Sequence, residues 1–191
     1  MYTKVKETIQ KKVQIPDDDL QKSFEFSNVC YYKKGDYLLK AGEYCRFIGF
    51  LNAGLIVTTT ISEGKEIACS FVYEGCFFTY TESLSQNTAS HKNFVALEDC
   101  EVLMIGKEKL PQIFLLNPKF ETLFTQLLAE ELRTLLLTEL ENKTLQLETR
   151  YLNFLKTIPD GFNRIPLKYI AGYLGIEPQS LSRLRKRLAG K

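Results

Sequence analysis

The chain has 191 residues, of which 45% are hydrophobic and 25% are charged, and its formal net charge is +2. This composition is ordinary for a globular protein and excludes wholesale disorder. The longest nearly apolar run, FIGFLNAGLIV, is too short and too interrupted by glycine to span a bilayer. Because the N-terminus, MYTKVKETIQKKVQ, has no signal-peptide core, we expect a cytoplasmic protein without a membrane partner.

Cysteine and histidine usage argues against metal and catalytic chemistry. The five cysteines are scattered without a CxxC pair, and His91 is the only histidine. Scattered thiols in an odd number indicate reduced, packed cysteines. One histidine excludes an enzyme on a β-barrel that holds a metal with several histidines and a carboxylate. No set of nucleophile, base and acid is evident either, so we expect a protein that is not an enzyme.

The first half of the chain predicts a short helical piece followed by a β domain. Residues 1–27 contain a helix start signal at Pro16, which three aspartates follow. From residue 28 to about 105, glycines separate short runs that are rich in Tyr, Phe, Ile, Val and Thr. The sequence SEGKE between two such runs is typical of a hairpin turn. Several short strands at regular spacing predict a β-sandwich or barrel.

A long helical region follows the strands. From residue 108 to about 157 there is no glycine, and apolar residues from Phe120 to Leu136 recur with a period near 3.6. This apolar stripe is too wide for one small β domain to cover, so we expect part of it to pack on a second copy of the chain. A helix buried within the monomer is the alternative. Past a boundary near residue 142, a further helix is expected to carry Leu152, Leu155 and Ile158 on one side.

The last segment, IPLKYIAGYLGIEPQSLSRLRKRLAGK, predicts two short helices joined by a turn. Apolar residues of the first helix fall at i, i+3, i+4 and i+7, and the second has a similar stripe. The first stripe is Leu167, Ile170, Ala171 and Leu174, and the second is Leu181, Leu184 and Leu188. Gly175 can take positive φ in the turn, and Pro178 can begin the second helix. This pattern indicates a helix-turn-helix, with an ordinary αα-hairpin as the alternative.

Charge favours the helix-turn-helix. Residues 164–191 contain seven basic residues and one acidic residue, whereas the rest of the chain has an acidic excess. A basic tail on an acidic body favours a polyanionic partner. The outer face of the second helix carries Gln179, Ser182, Arg183 and Lys186. Gln can read adenine and Arg can read guanine, while Lys and Ser suit phosphates, so the segment favours DNA.

The order of these parts resembles the Crp/Fnr family of bacterial transcription regulators over nearly the whole chain. The segment YKKGDYLLKAGEYCRFIGFLNAGLIVTTTISEGKEI is similar to the family's cyclic-nucleotide-binding-type β-roll, and LKYIAGYLGIEPQSLSRLRKRL is similar to its helix-turn-helix. The resemblance implies an α+β fold with an N-terminal double-stranded, jelly-roll-like β-roll, a long dimerisation helix and a C-terminal helix-turn-helix domain. The expected ranges are 1–112 for the N-terminal helix and β-roll, 113–142 for the dimerisation helix and 143–191 for the helix-turn-helix domain.

The resemblance also implies a function. The family binds palindromic double-stranded DNA as a homodimer, with half-sites about one helical turn apart, and RNA polymerase is a further implied partner. The expected DNA-binding residues are Lys168, Gln179, Ser180, Ser182, Arg183 and Lys186, with Arg183 the main base-reading residue. Pro178 departs from the polar residue usual in the family. Since only three residues follow Leu188, we expect no full wing and fewer phosphate contacts.

A cyclic nucleotide is the effector for which the family's binding residues can be compared most directly with this sequence. Family members that bind it use a Gly-Glu pair for the ribose and an Arg followed by Ser or Thr for the phosphate. Counted from Gly75, these positions fall on Thr79 and Tyr80, and on Ser90 and His91. No arginine occurs from residue 47 to residue 132. Because a buried cyclic phosphate needs a charge-assisted donor, we expect no tight binding of cyclic AMP or cyclic GMP.

Residues 75–96 could instead enclose an uncharged effector, or their aromatic side chains could fill the core of the β-roll. The candidate pocket residues are Phe77, Phe78, Tyr80, Glu82, Ser90, His91 and Phe94. An iron–sulfur cluster is not expected, because the family's cluster-binding branch uses N-terminal cysteines and the first one here is Cys30. Haem is not expected with His91 as the only histidine, so no cofactor or metal is predicted. The alternative function is a ligand-sensing or protein-interaction β-roll module without sequence-specific DNA binding.

Overall fold

The computed structural model describes residues 2–158 and 160–189. Its helices are α1 (Thr3–Lys12), α2 (Asp17–Phe24), α3 (Thr81–Gln86), α4 (Leu110–Leu116), α5 (Lys119–Thr144), α6 (Leu147–Thr157), α7 (Gly161–Arg164), α8 (Leu167–Leu174) and α9 (Pro178–Ala189). Its strands are β1 (Ser27–Tyr32), β2 (Tyr37–Leu39), β3 (Phe47–Ala53), β4 (Ile56–Ser62), β5 (Lys65–Val72), β6 (Phe77–Phe78), β7 (Lys92–Ala96) and β8 (Cys100–Gly106). A short 3₁₀ helix, Lys107–Lys109, precedes α4.

The strands form two four-stranded antiparallel sheets. The first has the order β1-β8-β3-β6 and the second has the order β2-β7-β4-β5. The hairpin expected at SEGKE joins β4 to β5, and Glu63 (φ 51°) and Gly64 (φ 74°) both take positive φ there. Two such residues in succession match the twist of a tight hairpin. The two sheets, the long helix and the C-terminal helices confirm the expected α+β fold class.

Both faces of both sheets are covered. Phe78 and Phe94 lie in the cluster between the sheets. The outer face of the first sheet packs against α1, α2, α4 and the start of α5. The outer face of the second sheet, including Val57 and Val95, packs against α6, α8 and α9. Burial on both faces explains why β7 is buried at successive positions and not at alternate ones.

The region expected as one dimerisation helix is divided into two helices. The shorter helix, α4, begins at Leu110, before the expected start at residue 113, and α5 begins only after Asn117 and Pro118. Asn117 is extended (φ −160°, ψ 125°), as the steric demand of a following proline favours. Phe120 and Leu123 of α5 are buried.

None of the helices within the described ranges has the length and apolar character that crossing a membrane requires.

The buried face of α6 differs from the expected one. Tyr151 and Phe154 are buried, whereas Leu152 is 41% exposed. Leu155 is partly buried and Ile158 is buried. Of the three residues expected on one side, Leu155 and Ile158 thus face the second sheet and Leu152 does not, because the helix packs on that sheet mainly through its aromatic side chains.

Candidate nucleic-acid interface

The two C-terminal helices form the turn expected between them. Ile170 and Ala171 of α8 and Leu181 of α9 have no exposed surface. Gly175 ends α8 with a φ of 70°, a conformation that a residue with a β-carbon adopts only at a cost. The N–H of Ile176 donates a hydrogen bond to the carbonyl of Ala171, which closes the turn. The interior of the pair is thus apolar and its turn is fixed.

The polar residues of α9 face away from this interior. Gln179, Arg183 and Lys186 are exposed, and Ser180 and Ser182 are half-buried. Within α9, Nη2 of Arg183 lies 3.4 Å from Oγ of Ser180. The second helix of this motif therefore presents amide, hydroxyl and basic groups to solvent, as a helix that enters the major groove of DNA does.

Other basic residues of this region are engaged with acidic residues. Nζ of Lys168 lies 3.6 Å from Oε2 of Glu66 on β5. Nη2 of Arg187 lies 3.0 Å from Oε2 of Glu148 on α6. Both basic side chains remain more than half exposed, so their ion pairs are weak in water. Lys168, expected to contact phosphate, therefore points towards the β-roll in this arrangement.

Arg164, at the end of α7, lies where the C-terminal helices meet the β-roll. Its Nη2 is 2.6 Å from Oε1 of Glu74 and 2.7 Å from Oε2 of Glu98. Its Nε donates a hydrogen bond of 2.9 Å to Glu98, and Nη2 donates one of 3.1 Å to the carbonyl of Gly54. The side chain is only 20% exposed. Arg164 belongs to the basic segment 164–191 that favoured a polyanionic partner, but the structure shows it holding two carboxylates of the β-roll.

The electrostatics of this cluster are mutually stabilising. Hydrogen bonds from Arg164 to Glu98 and to Glu74 raise the pKa of the guanidinium above its ordinary value. Burial alone would raise the pKa of Glu74, but hydrogen bonds from Arg164 and from the backbone N–H of Gly54 outweigh it and lower that pKa. Arg164 and Glu74 are therefore both ionised at neutral pH.

The positions that correspond to a cyclic-nucleotide site are engaged in the protein's own hydrogen bonds. Ser90 is 2% exposed, and its hydroxyl donates to the carbonyl of Lys92 at 2.8 Å. The hydroxyl of Thr79 donates to the carbonyl of Phe47 at 2.8 Å. His91 is exposed. The hydroxyl groups of Ser90 and Thr79 therefore hydrogen-bond to the backbone of the protein itself.

Both acidic and basic groups lie near this segment. Glu82 is exposed and accepts a hydrogen bond of 2.6 Å from the hydroxyl of Tyr80, which raises the pKa of Tyr80. Thr81, at the start of α3, donates a hydrogen bond of 2.9 Å to Glu131 of α5. Nζ of Lys92 lies 5.6 Å from the ring centroid of Tyr80. Nζ of Lys107 donates a hydrogen bond to the carbonyl of Leu84 in α3, so two carboxylates and two lysines lie close to this segment.

The aromatic residues expected to line an effector pocket do not face one common space. Phe78 and Phe94 contact each other between the sheets, with ring centroids 5.8 Å apart. Phe77 points to the opposite face, where it packs edge-on against Phe50 at 4.9 Å. Successive residues of a strand point to opposite faces, which separates the two neighbours on β6. Phe78 and Phe94 thus fill the core of the β-roll.

Phe77 lines an apolar cavity of about 70 Å³ on the outer face of the first sheet. The walls come from α1, α2, α4, α5 and strands β3, β6 and β8, and they include Val5 and Leu123. Ser23 also lines the cavity, but its hydroxyl already donates to the carbonyl of Leu20 at 2.7 Å. The hydroxyl proton of Ser23 is therefore not available to donate a hydrogen bond into the cavity.

The thiols are placed for packing. All five cysteines are free, and Cys45 and Cys100 are buried. Burial raises the pKa of the Cys100 thiol. Across residues 2–158 and 160–189, no group of three or more His, Cys, Asp or Glu residues is arranged to hold a metal ion.

Comparison with known proteins gives one sequence match and many structural ones. Residues 29–117 match the sequence model of the cyclic nucleotide-binding domain. No curated protein is similar enough in sequence to count as a relative. The fold is shared with the catabolite activator protein of Thermus thermophilus, at 19% identity and a TM-score of 0.59 over 96% of this chain and 87% of that chain.

Two other solved structures have higher TM-scores. FixK2 from Bradyrhizobium japonicum has 18% identity and a TM-score of 0.72, over 86% of this chain and 85% of that chain. The c-di-GMP responsive global regulator CLP of Xanthomonas campestris has 15% identity and a TM-score of 0.70, over 92% of each chain. Such identities establish the fold. Residues 29–117 therefore match the cyclic nucleotide-binding domain family, in a chain that has the fold of the Crp/Fnr transcription regulators.

Proposed function

We propose that this protein is a sequence-specific DNA-binding transcription regulator that acts as a homodimer and is not an enzyme. The observation that carries the proposal is the outer face of α9, where Gln179, Arg183 and Lys186 are exposed on the second helix of a helix-turn-helix. These side chains suit base edges and phosphates. A bacterial DNA-binding regulator works in the cytoplasm, and RNA polymerase is the further partner that such a role implies.

The second half of α5 supports the homodimer. Five leucines there are each 46% to 58% exposed in the single chain: Leu132, Leu135, Leu136, Leu137 and Leu140. An apolar stripe of this length on a helix is unfavourable in water and suits the two-fold packing of two parallel helices. Two copies of α5 would also place two α9 helices in one particle, as a palindromic operator requires.

The β-roll in this proposal does not bind cyclic AMP. The supporting observation is that Ser90, at the position of the phosphate-binding arginine, is buried and hydrogen-bonded within its own loop. Glu82 and Glu131 add negative charge beside Tyr80 and Thr81. Phe78 and Phe94 occupy the space between the sheets, so we further propose that the segment has no uncharged effector and serves the core.

The experiment that tests DNA recognition begins with selection of duplexes from a random pool by the full chain. Fluorescence anisotropy then measures the affinity for the enriched sequence and for a scrambled duplex. Arg183→Ala should lose about 1–3 kcal/mol for the enriched sequence per lost bidentate contact, and little for the scrambled one. The matched control is Arg46→Ala, an exposed arginine on the β-roll that should leave both affinities unchanged.

The outcome also separates this function from its alternative. A β-roll module without sequence-specific DNA binding would enrich no sequence, and its affinity would not fall steeply with salt. Isothermal titration calorimetry with cyclic AMP and cyclic GMP tests the effector, and sub-micromolar affinity for either would contradict the proposal. Because the Xanthomonas campestris neighbour is c-di-GMP responsive, c-di-GMP is a third ligand for the same titration.

A further inference from the structure

We infer that Arg164 is a positioning residue for DNA recognition, which holds the helix-turn-helix on the β-roll of its own chain so that the two move as one body. The part that concerns DNA rests on the proposed function, whereas the docking of the two parts does not.

The contacts of Arg164 join α7 to three separate connections of the β-roll. Gly54 lies between β3 and β4, Glu74 between β5 and β6, and Glu98 between β7 and β8. A guanidinium has five N–H donors in a rigid fork, so it can serve two carboxylates and a carbonyl at once. A lysine ammonium lacks this geometry. One residue of the C-terminal region thus fixes three connections that are distant in sequence.

An aromatic cluster beside the ion pairs has the character of a protein core. Phe71 of β5, Phe154 of α6 and Tyr173 of α8 contact one another, with ring centroids 5.2 to 5.7 Å apart. Val57 and Leu181, which have no exposed surface, belong to the same buried cluster. Domains move relative to each other by default unless their interface is large and hydrophobic. The apolar contact therefore resists separation, and the polar contacts of Arg164 set its orientation.

The docked arrangement is compatible with DNA binding. It places α8 against β5 and leaves Gln179, Arg183 and Lys186 of α9 exposed. In a homodimer, docking would hold each α9 at a fixed place relative to the β-roll and hence to its partner. Loss of docking should therefore impair binding that needs two recognition helices at a fixed separation, while attraction by charge alone persists.

The test compares Arg164→Ala, Arg164→Lys and the control Arg46→Ala in the full chain. Hydrogen–deuterium exchange reports docking through peptides that cover β5 and α8. Arg164→Ala should raise exchange in both peptides, and Arg164→Lys should give an intermediate effect because an amine reaches fewer acceptors. On the selected duplex, Arg164→Ala should lose at least ~10-fold in affinity, with random-duplex affinity changed less than ~2-fold.

Each outcome decides a separate point. Unchanged exchange in Arg164→Ala would overturn the docking role, and tighter operator binding would show that docking opposes DNA recognition. Equal losses on both duplexes would indicate a merely structural role. If the wild-type chain selects no DNA sequence, the proposed function fails, and the exchange data still decide whether Arg164 docks the two parts. Should Arg164→Ala not fold, Glu98→Gln removes one partner and serves in its place.

Discussion

Gly172 of α8 lies directly against the backbone of Ala68 on β5. A β-carbon placed on Gly172 would be 3.2 Å from the backbone nitrogen of Ala68, which is closer than such contacts usually are. Here a helix of the C-terminal helix-turn-helix meets the β-roll with no room for a larger side chain. The contact lies in the same region as the aromatic cluster of Phe71 and Tyr173.

Gly172→Val should therefore destabilise the protein, because its two γ-methyl groups must displace the strand backbone. We expect a loss of about 1–3 kcal/mol, as for other overpacked interiors, measured by urea denaturation. Gly172→Ala is the comparison variant. Alanine favours a helix by about 1 kcal/mol relative to glycine, and this gain opposes the cost of the tighter contact with Ala68. A Gly172→Val protein as stable as the wild type would mean that α8 does not lie on β5.

The ion pair of Glu74 predicts a loss of stability in acid. The pKa of Glu74 is lowered by folding, so its stabilisation is complete above the ordinary value of 4.5 and is lost as the pH falls through the folded value. Glu74→Gln should cost about 1–2 kcal/mol at neutral pH and should depend less on pH in acid than the wild type does. Urea unfolding from about pH 6 to about pH 3 measures this difference.

The control for this prediction is Glu63→Gln, in the exposed turn between β4 and β5. It should reproduce the wild-type pH dependence, because Glu63 lies outside the cluster of Arg164. If Glu74→Gln and Glu63→Gln behave alike, Glu74 does not contribute to stability through Arg164.

Local patterns predicted much of this fold from the sequence. The turn at Glu63 and Gly64, the break at Gly175 and the apolar stripe of α8 are each specified by neighbouring residues. The docking of the helix-turn-helix on the second sheet depends on residues far apart in sequence and could not be predicted this way. A signal was present, since Val57 and Val95 are apolar on a face that a β-roll alone would expose to water.

The candidate site was harder to predict for the same reason. Arg164 lies among other basic residues in the sequence. Composition alone could not distinguish a basic side chain that faces DNA from one that binds Glu74 and Glu98. Likewise, Phe77 and Phe78 are adjacent in sequence but lie on opposite faces of β6. Because neighbouring residues of a strand point to opposite faces, the two side chains could have been assigned to different faces if the exact bounds of β6 had been predicted.

The cavity lined by Phe77 predicts a substitution that should not destabilise the protein. Val5, which is 3% exposed, lines this cavity of about 70 Å³. Val5→Ile adds one methylene that the cavity can hold, and we expect a gain of up to about 1 kcal/mol in the free energy of unfolding. Thermal and urea denaturation show whether the free energy of unfolding rises or falls.

Val57→Ile is the matched control, because the same methylene is added where the side chain has no exposed surface and is packed between β4 and the C-terminal helices. It should lose about 1–3 kcal/mol. A loss of stability in Val5→Ile equal to that in Val57→Ile would mean that the cavity is not open to an added methylene.

The exposed leucines of α5 predict a variant that separates the two subunits. Leu135 is 58% exposed, and in a two-fold helix pair both copies would be buried. Leu135→Glu should weaken the dimer at least ~100-fold, because two apolar contacts are lost and two like charges are brought together. Sedimentation equilibrium should then give the mass of one chain where the wild type gives two. Leu115→Glu, at an 86% exposed position on α4, should leave the dimer intact. Equal masses for both variants would contradict the assignment of α5 as the dimer contact.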